Sequence, residues 1–186
     1  MKGKKKPEPA YVPAPWSRRG FAYLLDGYLG SAFSVIPVGL LWNMLTEEVV
    51  INTDLTLFDA PYGWLAGFLG LVFGAVYYYV IPMWVWKGQT LGKRLMNLRI
   101  VGEDNNPLPA GRLAVRQLAG VMLLEGGFLL TGQYAVQMLT MLTLGAAGKA
   151  LNYLLFGVFI VSVWLAYRDG KAAHDIWAGS KVIDNK

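Results

Sequence analysis

Six charged side chains that could take part in ion or proton chemistry lie inside or beside long apolar stretches of this sequence. They are Arg19, Asp26, Arg116, Glu125, His174 and Asp175. Arg19 and Asp26 are seven residues apart, so on a helix they share one face, about 10 Å apart along the axis. A carboxylate at that depth in a membrane is costly unless it is protonated or paired. Asp26 is therefore a candidate for proton or cation binding, or alternatively a structural lock that pairs with Arg19 or Arg116.

Glu125 is a second acid within an apolar stretch. It follows Arg116 by nine residues, which places it about 13 Å deeper if Arg116 marks the membrane interface. Asp26 and Glu125 at similar depth could share a proton or a small cation, because burial and mutual repulsion raise the pKa of carboxyl groups. Gly126 and Gly127 offer a structural alternative, in which a neighbouring helix comes close and supplies a hydrogen-bond partner for Glu125.

His174 and Asp175 precede Ser180, a set of residue types that also occurs in hydrolases. Neighbouring residues on a helix point about 100° apart, and the sequence has no G-x-S-x-G nucleophile elbow. We therefore expect no enzymatic activity. The expected role is local: His174 and Asp175 bond to backbone groups and to a cation where the C-terminal segment returns to the membrane surface. His174 could also sense pH.

The composition fits a membrane protein and excludes several other classes. Hydrophobic residues make up 55% of the 186 residues and charged residues 16%, and the mean hydropathy is +0.39. The absence of cysteine excludes disulfides and thiolate zinc sites, and a single histidine excludes a multi-histidine metal site. The net charge of +5 does not indicate nucleic-acid binding, because the cations flank apolar stretches instead of clustering on a soluble face. We expect no cofactor.

Four apolar stretches hold these residues and predict an all-α, polytopic transmembrane helical bundle over residues 20–186. The predicted spans cover residues 20–45, 62–86, 113–131 and 150–167. Residues 1–19 form a basic, proline-rich arm that anionic headgroups attract, 87–112 a loop that begins with a short amphipathic segment, and 168–186 a polar tail. Residues 132–149 could extend the third helix, lie at the interface or re-enter the membrane. Gly67, Gly70 and Gly74 in the second span predict close helix packing.

The lysines and arginines predict the orientation of the chain. Sixteen of the seventeen lie in the arm, the central loop or the tail and its flanks, and one, Lys149, precedes the fourth span. Cytoplasmic segments of membrane proteins are enriched in Lys and Arg. The sequence therefore predicts four spans in the cell's inner membrane, with both termini in the cytoplasm.

Two short segments near the predicted cytoplasmic surface have strand character. They are residues 98–101 and 180–183. We predict that they pair and bury apolar side chains such as Ile100 and Val182, which would otherwise face water.

Several blocks of the sequence resemble the RDD family of membrane proteins. They are residues 19–26 (RGFAYLLD), 88–95 (GQTLGKRL), 98–101 (LRIV), Arg116 and 174–183 (HDIWAGSKVI), in the family's order. The family is named for one arginine and two aspartates, and the resemblance places these at Arg19, Asp26 and Asp175, with Arg18 as the alternative arginine. Lys181 stands where small or apolar residues are commoner, and many members have three spans where this chain has four candidates.

The resemblance implies a transport role, since cation and proton antiport is proposed for the family. The first hypothesis is a transporter of small cations or protons that uses the intramembrane carboxylates. The alternative is a non-transporting accessory protein that docks other membrane proteins, or a second copy of itself, through glycine-rich helix faces.

Overall fold

Helices make up most of the structure. The computed structural model describes residues 12, 14–143 and 145–185. The α-helices are α1 (Trp16–Thr46), α2 (Tyr62–Ala75), α3 (Leu91–Leu95), α4 (Ala110–Ala114), α5 (Leu130–Leu142), α6 (Ala146–Arg168) and α7 (Ala173–Ala178). α2 and α4 continue as π-helices over Val76–Val85 and Val115–Leu124, and Leu55–Leu57 and Gly126–Phe128 are 3-10 turns. The strands are β1 (Leu98–Gly102) and β2 (Ser180–Asp184).

Three helices are long and apolar enough to cross a membrane. They are Trp16–Thr46, Tyr62–Val85 and Ala147–Arg168, and they correspond to the predicted spans 20–45, 62–86 and 150–167. Large apolar side chains such as Leu40, Phe68 and Val161 point away from the bundle, where lipid would cover them. The predicted class, an all-α polytopic membrane bundle, is confirmed.

The first helix begins earlier than the sequence suggests. α1 starts at Trp16, so Arg18 and Arg19, which were assigned to the basic arm, already belong to a helix. Residues 1–11 of the predicted arm lie outside the described residues.

The predicted third span, residues 113–131, is not one continuous helix. The helix that begins with α4 ends at Leu124, a 3-10 turn follows, and α5 starts at Leu130. Gly126 permits the break, because a Cβ there would lie 2.9 Å from the Cα of Gly132. The segment 132–149 is therefore the greater part of α5 and the start of α6. The count of four spans stays a prediction, since neither half of this broken segment is long enough to span by itself.

Glycines on α2 bring the helices of this chain together. A Cβ on Gly70 would lie 2.6 Å from the ring of Tyr134, and one on Gly74 would lie 2.2 Å from the methyl group of Thr131. Both contacts are with α5, so the predicted role of these glycines in close helix packing is confirmed. The same faces are therefore occupied within the chain.

A two-stranded antiparallel sheet closes one end of the bundle. Ile100 pairs with Val182, and both side chains are buried, so the predicted strand pairing is confirmed. The segment before α1 joins the sheet, because Ala14 donates to the Val182 carbonyl and Asp184 donates to the Val12 carbonyl. Both described ends of the chain thus lie at this end of the bundle, which we call the sheet end.

The opposite end is marked by the Leu55–Leu57 turn. Its backbone is held by α5, since the Leu55 N–H donates to Gln137 Oε1 at 2.7 Å and the Gln137 amide donates to the Thr53 carbonyl. The broken third segment therefore runs from the sheet end, where Arg112 donates to the carbonyl of Ala178, to the turn end. It does so in two helical pieces that meet near Glu125.

A buried charge network as candidate functional site

Seven charged or titratable side chains gather at the inner side of the sheet end. We call them the charge network: Arg19, Asp26, Lys93, Arg116, Glu125, His174 and Asp175. Three are carboxylates with at most 2% of their surface exposed, and Arg116 is 1% exposed. Six of the seven are the residues that the sequence singled out, and Lys93 is an addition.

Asp26 lies at the centre of a complete set of hydrogen-bond donors. The hydroxyl of Tyr77 and the backbone N–H of Gly92 each donate to Oδ1 at 2.8 Å. The hydroxyl of Thr90 donates to Oδ2 at 2.5 Å, and Lys93 Nζ donates to Oδ2 at 2.9 Å. Each carboxylate oxygen therefore has two donors, which leaves little capacity for a further ligand.

Lys93 is the cation that pairs with Asp26, which corrects the predicted pairing with Arg19 or Arg116. Lys93 reaches the carboxylate because α3 crosses close to α1 at Gly92, where a Cβ would lie 2.5 Å from the carbonyl oxygen of Ala22. Gly92 and Lys93 both belong to the 88–95 block, so a signal for this partner was present in the sequence. The contribution of Tyr77 had no such signal.

Asp175 is the carboxylate to which both arginines bind. Arg116 donates to Oδ1 from Nη2 at 2.6 Å and from Nε at 3.1 Å, and Arg19 Nη2 donates to Oδ2 at 2.8 Å. The Ala172 N–H and the Ser180 hydroxyl also donate to this carboxylate. Arg19 and Asp175 thus do come together, whereas Asp26 has its own partner. Arg18, the alternative arginine, instead pairs with Asp184 at 2.5 Å.

The electrostatic setting of Asp175 favours its charged form. Burial alone would raise the pKa of this carboxyl, but the positive charges of Arg116, His174 and Arg19 act in the opposite direction. The pKa of Asp175 consequently lies well below its ordinary value. Asp175 therefore stays ionised at neutral pH and balances one of its two arginines.

Glu125 and His174 form a pair of a different kind. His174 Nδ1 lies 2.8 Å from both carboxylate oxygens of Glu125, and the hydroxyl of Ser162 donates to Oε1 at 2.5 Å. The other ring nitrogen of His174, Nε2, lies 3.7 Å from Asp175 Oδ1. His174 is therefore placed between two carboxylates, and histidine is the side chain that ordinarily changes charge between pH 5 and 8.

Glu125 stands at the break in the third segment. Its N–H donates to the carbonyl of Gly120 and closes the π-helix, and the backbone then turns through Gly126. The freed backbone is partly satisfied by Gln133, whose side-chain amide donates to the Gly127 carbonyl at 2.5 Å. Irregular backbone at membrane depth is tolerated where it is buried in protein or lines a cavity.

A cavity of about 120 Å³ lies between α1 and α6. Arg19, Lys93, Arg116, Glu125 and His174 line its polar side. The rings of Tyr23 and Phe159 stack at 5.9 Å across its apolar side. A water needs about 10 to 15 Å³ of such space, so the cavity has room for several waters or a small hydrated ion.

A smaller space of about 10 Å³ lies between Asp26 and His174. Gln117, 1% exposed, lines it, and its side-chain nitrogen has no hydrogen-bond partner among the described residues. The space matches one water in size and offers it a donor. Asp26 and Glu125 share no hydrogen-bond partner among the described residues.

Other chemistry at the site has less support in the geometry. Ser180 bonds to Asp175 and accepts a hydrogen bond from Arg116 Nε at 3.2 Å, which holds it within the charge network. Within residues 12, 14–143 and 145–185, no group of three or more His, Asp or Glu side chains is arranged to hold a metal ion. The arrangement is suited to moving protons or exchanging small ions between charged groups.

Comparison with protein families matches residues 13–179 of this chain to the RDD family. No curated protein and no solved structure matches the chain. The family match covers most of the 186 residues and includes Arg19, Asp26 and Asp175 of the charge network. The chain therefore belongs to the RDD family of membrane proteins.

Proposed function

We propose that this chain exchanges small cations for protons across the inner membrane, with Glu125 and His174 as the groups that carry the proton. The observation on which this rests is the contact of Glu125 with His174 at 2.8 Å, beside a cavity and at a break in a helix. Secondary transporters commonly bind their substrates where membrane helices are discontinuous.

The charge balance of the network supports an exchange. Arg19, Lys93 and Arg116 contribute three positive charges, and the three carboxylates contribute three negative ones. When His174 is neutral the network is neutral apart from any bound ion. When His174 gains a proton, its charge neutralises Glu125 directly, and a cation in the cavity loses its counter-charge. Proton and cation therefore compete for Glu125.

The three carboxylates have separate roles in this proposal. Asp26 and Asp175 act as structural locks, because each already has its donors and cations in place. Glu125 alone has a titratable partner in place of a permanent cation. Glu125 and His174 both line the cavity.

The orientation in this proposal follows the charge count. Sixteen of seventeen Lys and Arg residues belong to segments assigned to one side, and the described chain ends meet at the sheet end. Because the chain has no cysteine, single cysteines introduced at Asn52 and Asn185 can be labelled without background. We expect an impermeant thiol reagent, added outside the cell, to label only the cysteine at residue 52. Labelling of residue 185 from outside would contradict cytoplasmic termini.

Two glycines of α2 do not offer a docking surface for the accessory-protein alternative. Gly70 and Gly74 pack against Tyr134 and Thr131 of the same chain, so they do not present a free docking face. A partner, or a second copy of the chain, would have to use another surface. We expect no enzymatic activity under this proposal.

Flux measurements on the purified chain in proteoliposomes test the transport proposal. A pH gradient is imposed, and proton movement is followed with an internal dye on addition of Na⁺, K⁺ or Li⁺. We expect Glu125→Gln to abolish cation-dependent proton movement while the protein remains folded. The matched control is Glu103→Gln, which removes the same charge from an exposed carboxylate paired with Lys171.

Two results would contradict the proposal. The first is an absence of cation-dependent proton movement in the unaltered protein with every cation. The second is wild-type flux in Glu125→Gln, which would remove Glu125 from the proton path.

A further inference from the structure

A second cavity at the sheet end lies apart from the charge network. Its volume is about 360 Å³, three times that of the cavity beside Glu125. Met83 and Pro82 from the end of the second span form one wall, and Ile100, Leu108 and Leu113 form another. Volumes of about 300 Å³ or more are typical of ligand-binding pockets.

Two cations without carboxylate partners line this cavity. Lys87 and Arg99 both line it, and no aspartate or glutamate is among the described residues that line it. In the part of the chain that the structure describes, neither side chain belongs to an ion pair. The network cations Arg19, Lys93 and Arg116 all have such a pair. The cavity therefore has two positive charges that no described carboxylate pairs with.

Unsatisfied polar atoms mark the same cavity. Arg99 Nε is buried and has no hydrogen-bond partner among the described residues, and the same holds for Asn105 Oδ1. A buried guanidinium nitrogen without an acceptor is costly, and an anionic oxygen would satisfy it.

The depth of the cavity indicates where its ligand comes from. Tyr62–Val85 is long and apolar enough to cross a membrane, and Pro82 and Met83 lie in its last turn. Trp84 and Trp86 follow, and tryptophan is enriched at the level of lipid headgroups. The end of an apolar span and two tryptophans beside the cavity favour a position at the headgroup level of one leaflet.

We propose that the Lys87–Arg99 cavity binds the headgroup of an anionic phospholipid. The lipid phosphate accepts from Arg99 and Lys87, and the apolar wall at Met83 contacts the start of the acyl chains. An anionic headgroup complements the two cations, whereas a zwitterionic headgroup brings a further positive charge next to Lys87. This inference requires only a membrane location and is independent of transport.

Lipid-dependent stabilisation of the purified full chain tests the proposal. The protein in neutral detergent is titrated with phosphatidylglycerol, phosphatidylcholine or glycerol 3-phosphate, and thermal unfolding and native mass spectra are recorded. We expect phosphatidylglycerol to raise the midpoint of unfolding and to remain bound in the mass spectra. Lys87→Gln and Arg99→Gln should each weaken its binding about tenfold, as expected for loss of one charge-assisted contact.

Arg94→Gln is the matched control, because it removes a cation from the same end of the bundle, the sheet end. Arg94 stacks on Trp86 at 5.1 Å and does not line the cavity, so this variant should bind phosphatidylglycerol like the parent. Lys87 is exposed, and its replacement should leave the fold intact even if Arg99→Gln lowers stability.

Each contrary result would overturn the proposal. Equal stabilisation by phosphatidylcholine would show that headgroup charge is not recognised. Equal loss in Arg94→Gln would indicate diffuse attraction to the whole basic surface. Saturation by glycerol 3-phosphate at similar concentrations would identify a soluble phosphate as the ligand in place of a lipid.

Discussion

Asp26 and Glu125 are both buried carboxylates within the bundle, yet their surroundings differ. Asp26 accepts four hydrogen bonds, one of them from its ion-pair partner Lys93. Glu125 accepts from Ser162, pairs with His174 and borders a cavity. Burial alone therefore does not identify the carboxylate that we propose to carry the proton. The nature of the partner and the access to water distinguish the two.

Removal of Asp175 should have the largest effect on stability. Asp175→Ala leaves the guanidinium groups of Arg19 and Arg116 without their carboxylate. We expect a loss of about 3 to 5 kcal/mol in the free energy of unfolding, or failure to fold, because stranded buried charges are costly. Folded yield in detergent and chemical unfolding measure it. Near-parent stability would mean that the arginines find other partners.

Asp26→Leu should follow, with a loss of about 3 kcal/mol or more, because it strands Lys93 and three further donors. The double variant Asp26→Leu/Lys93→Met removes both charges and should recover part of that loss. Unfolding of both variants and of Lys93→Met gives the coupling energy. If the stability loss of the double variant is no smaller than the sum of the losses of the two single variants, Lys93 is not the partner that stabilises Asp26.

Glu125→Gln should reduce stability less than Asp26→Leu does, but it should have the stronger effect on function. The amide oxygen can still accept from Ser162, so we expect a loss of about 1 kcal/mol from the weakened contact with His174. The same variant should show no cation-dependent proton movement. A loss of stability as large as that of Asp26→Leu would place Glu125 among the structural locks and remove the distinction between the two acids.

The smallest expected effect is the pH dependence of the contribution that Asp175 makes to stability. Asp175 has a lowered pKa in the folded protein, so its stabilising contribution is fully present above the unfolded value of about 3.9. It is lost only as pH falls below that value. The difference in unfolding free energy between the parent and Asp175→Asn should thus shrink under strongly acidic conditions, as Asp175 becomes protonated. A difference that stays unchanged under strongly acidic conditions would contradict this assignment.

The sequence predicts the parts of the fold that depend on local patterns. Long apolar stretches locate α1, the second span and α6, and strand character together with a shared surface pairs Ile100 with Val182. The sequence did not predict the break at Glu125, because apolar residues continue on both sides of it. Nothing local distinguishes a glutamate inside a helix from one at its end, whereas the contact between Gly126 and Gly132 depends on how the chain folds back.

The sequence predicted six of the seven members of the charge network, but it did not predict that Asp26 pairs with Lys93. Arg19, Asp26 and Asp175 carried the family resemblance, but the pairing of Asp26 depends on where α3 lies. That position follows from the turn at Gly88, whose φ of +81° suits glycine, and from the space at Gly92. The contact of His174 with Glu125 likewise arises only when α7 packs on the π-helix Val115–Leu124, an arrangement without a local sequence signal.

The position of α7 along the chain has a consequence for biosynthesis. α7 follows every other α-helix of the bundle in the described chain, so Arg19 and Arg116 are synthesised before Asp175, the carboxylate that both bind. Until α7 docks, two guanidinium groups remain at the bundle without their counter-ion, a costly arrangement near hydrocarbon. A nascent chain that stalls before residue 173 therefore differs chemically from a finished one.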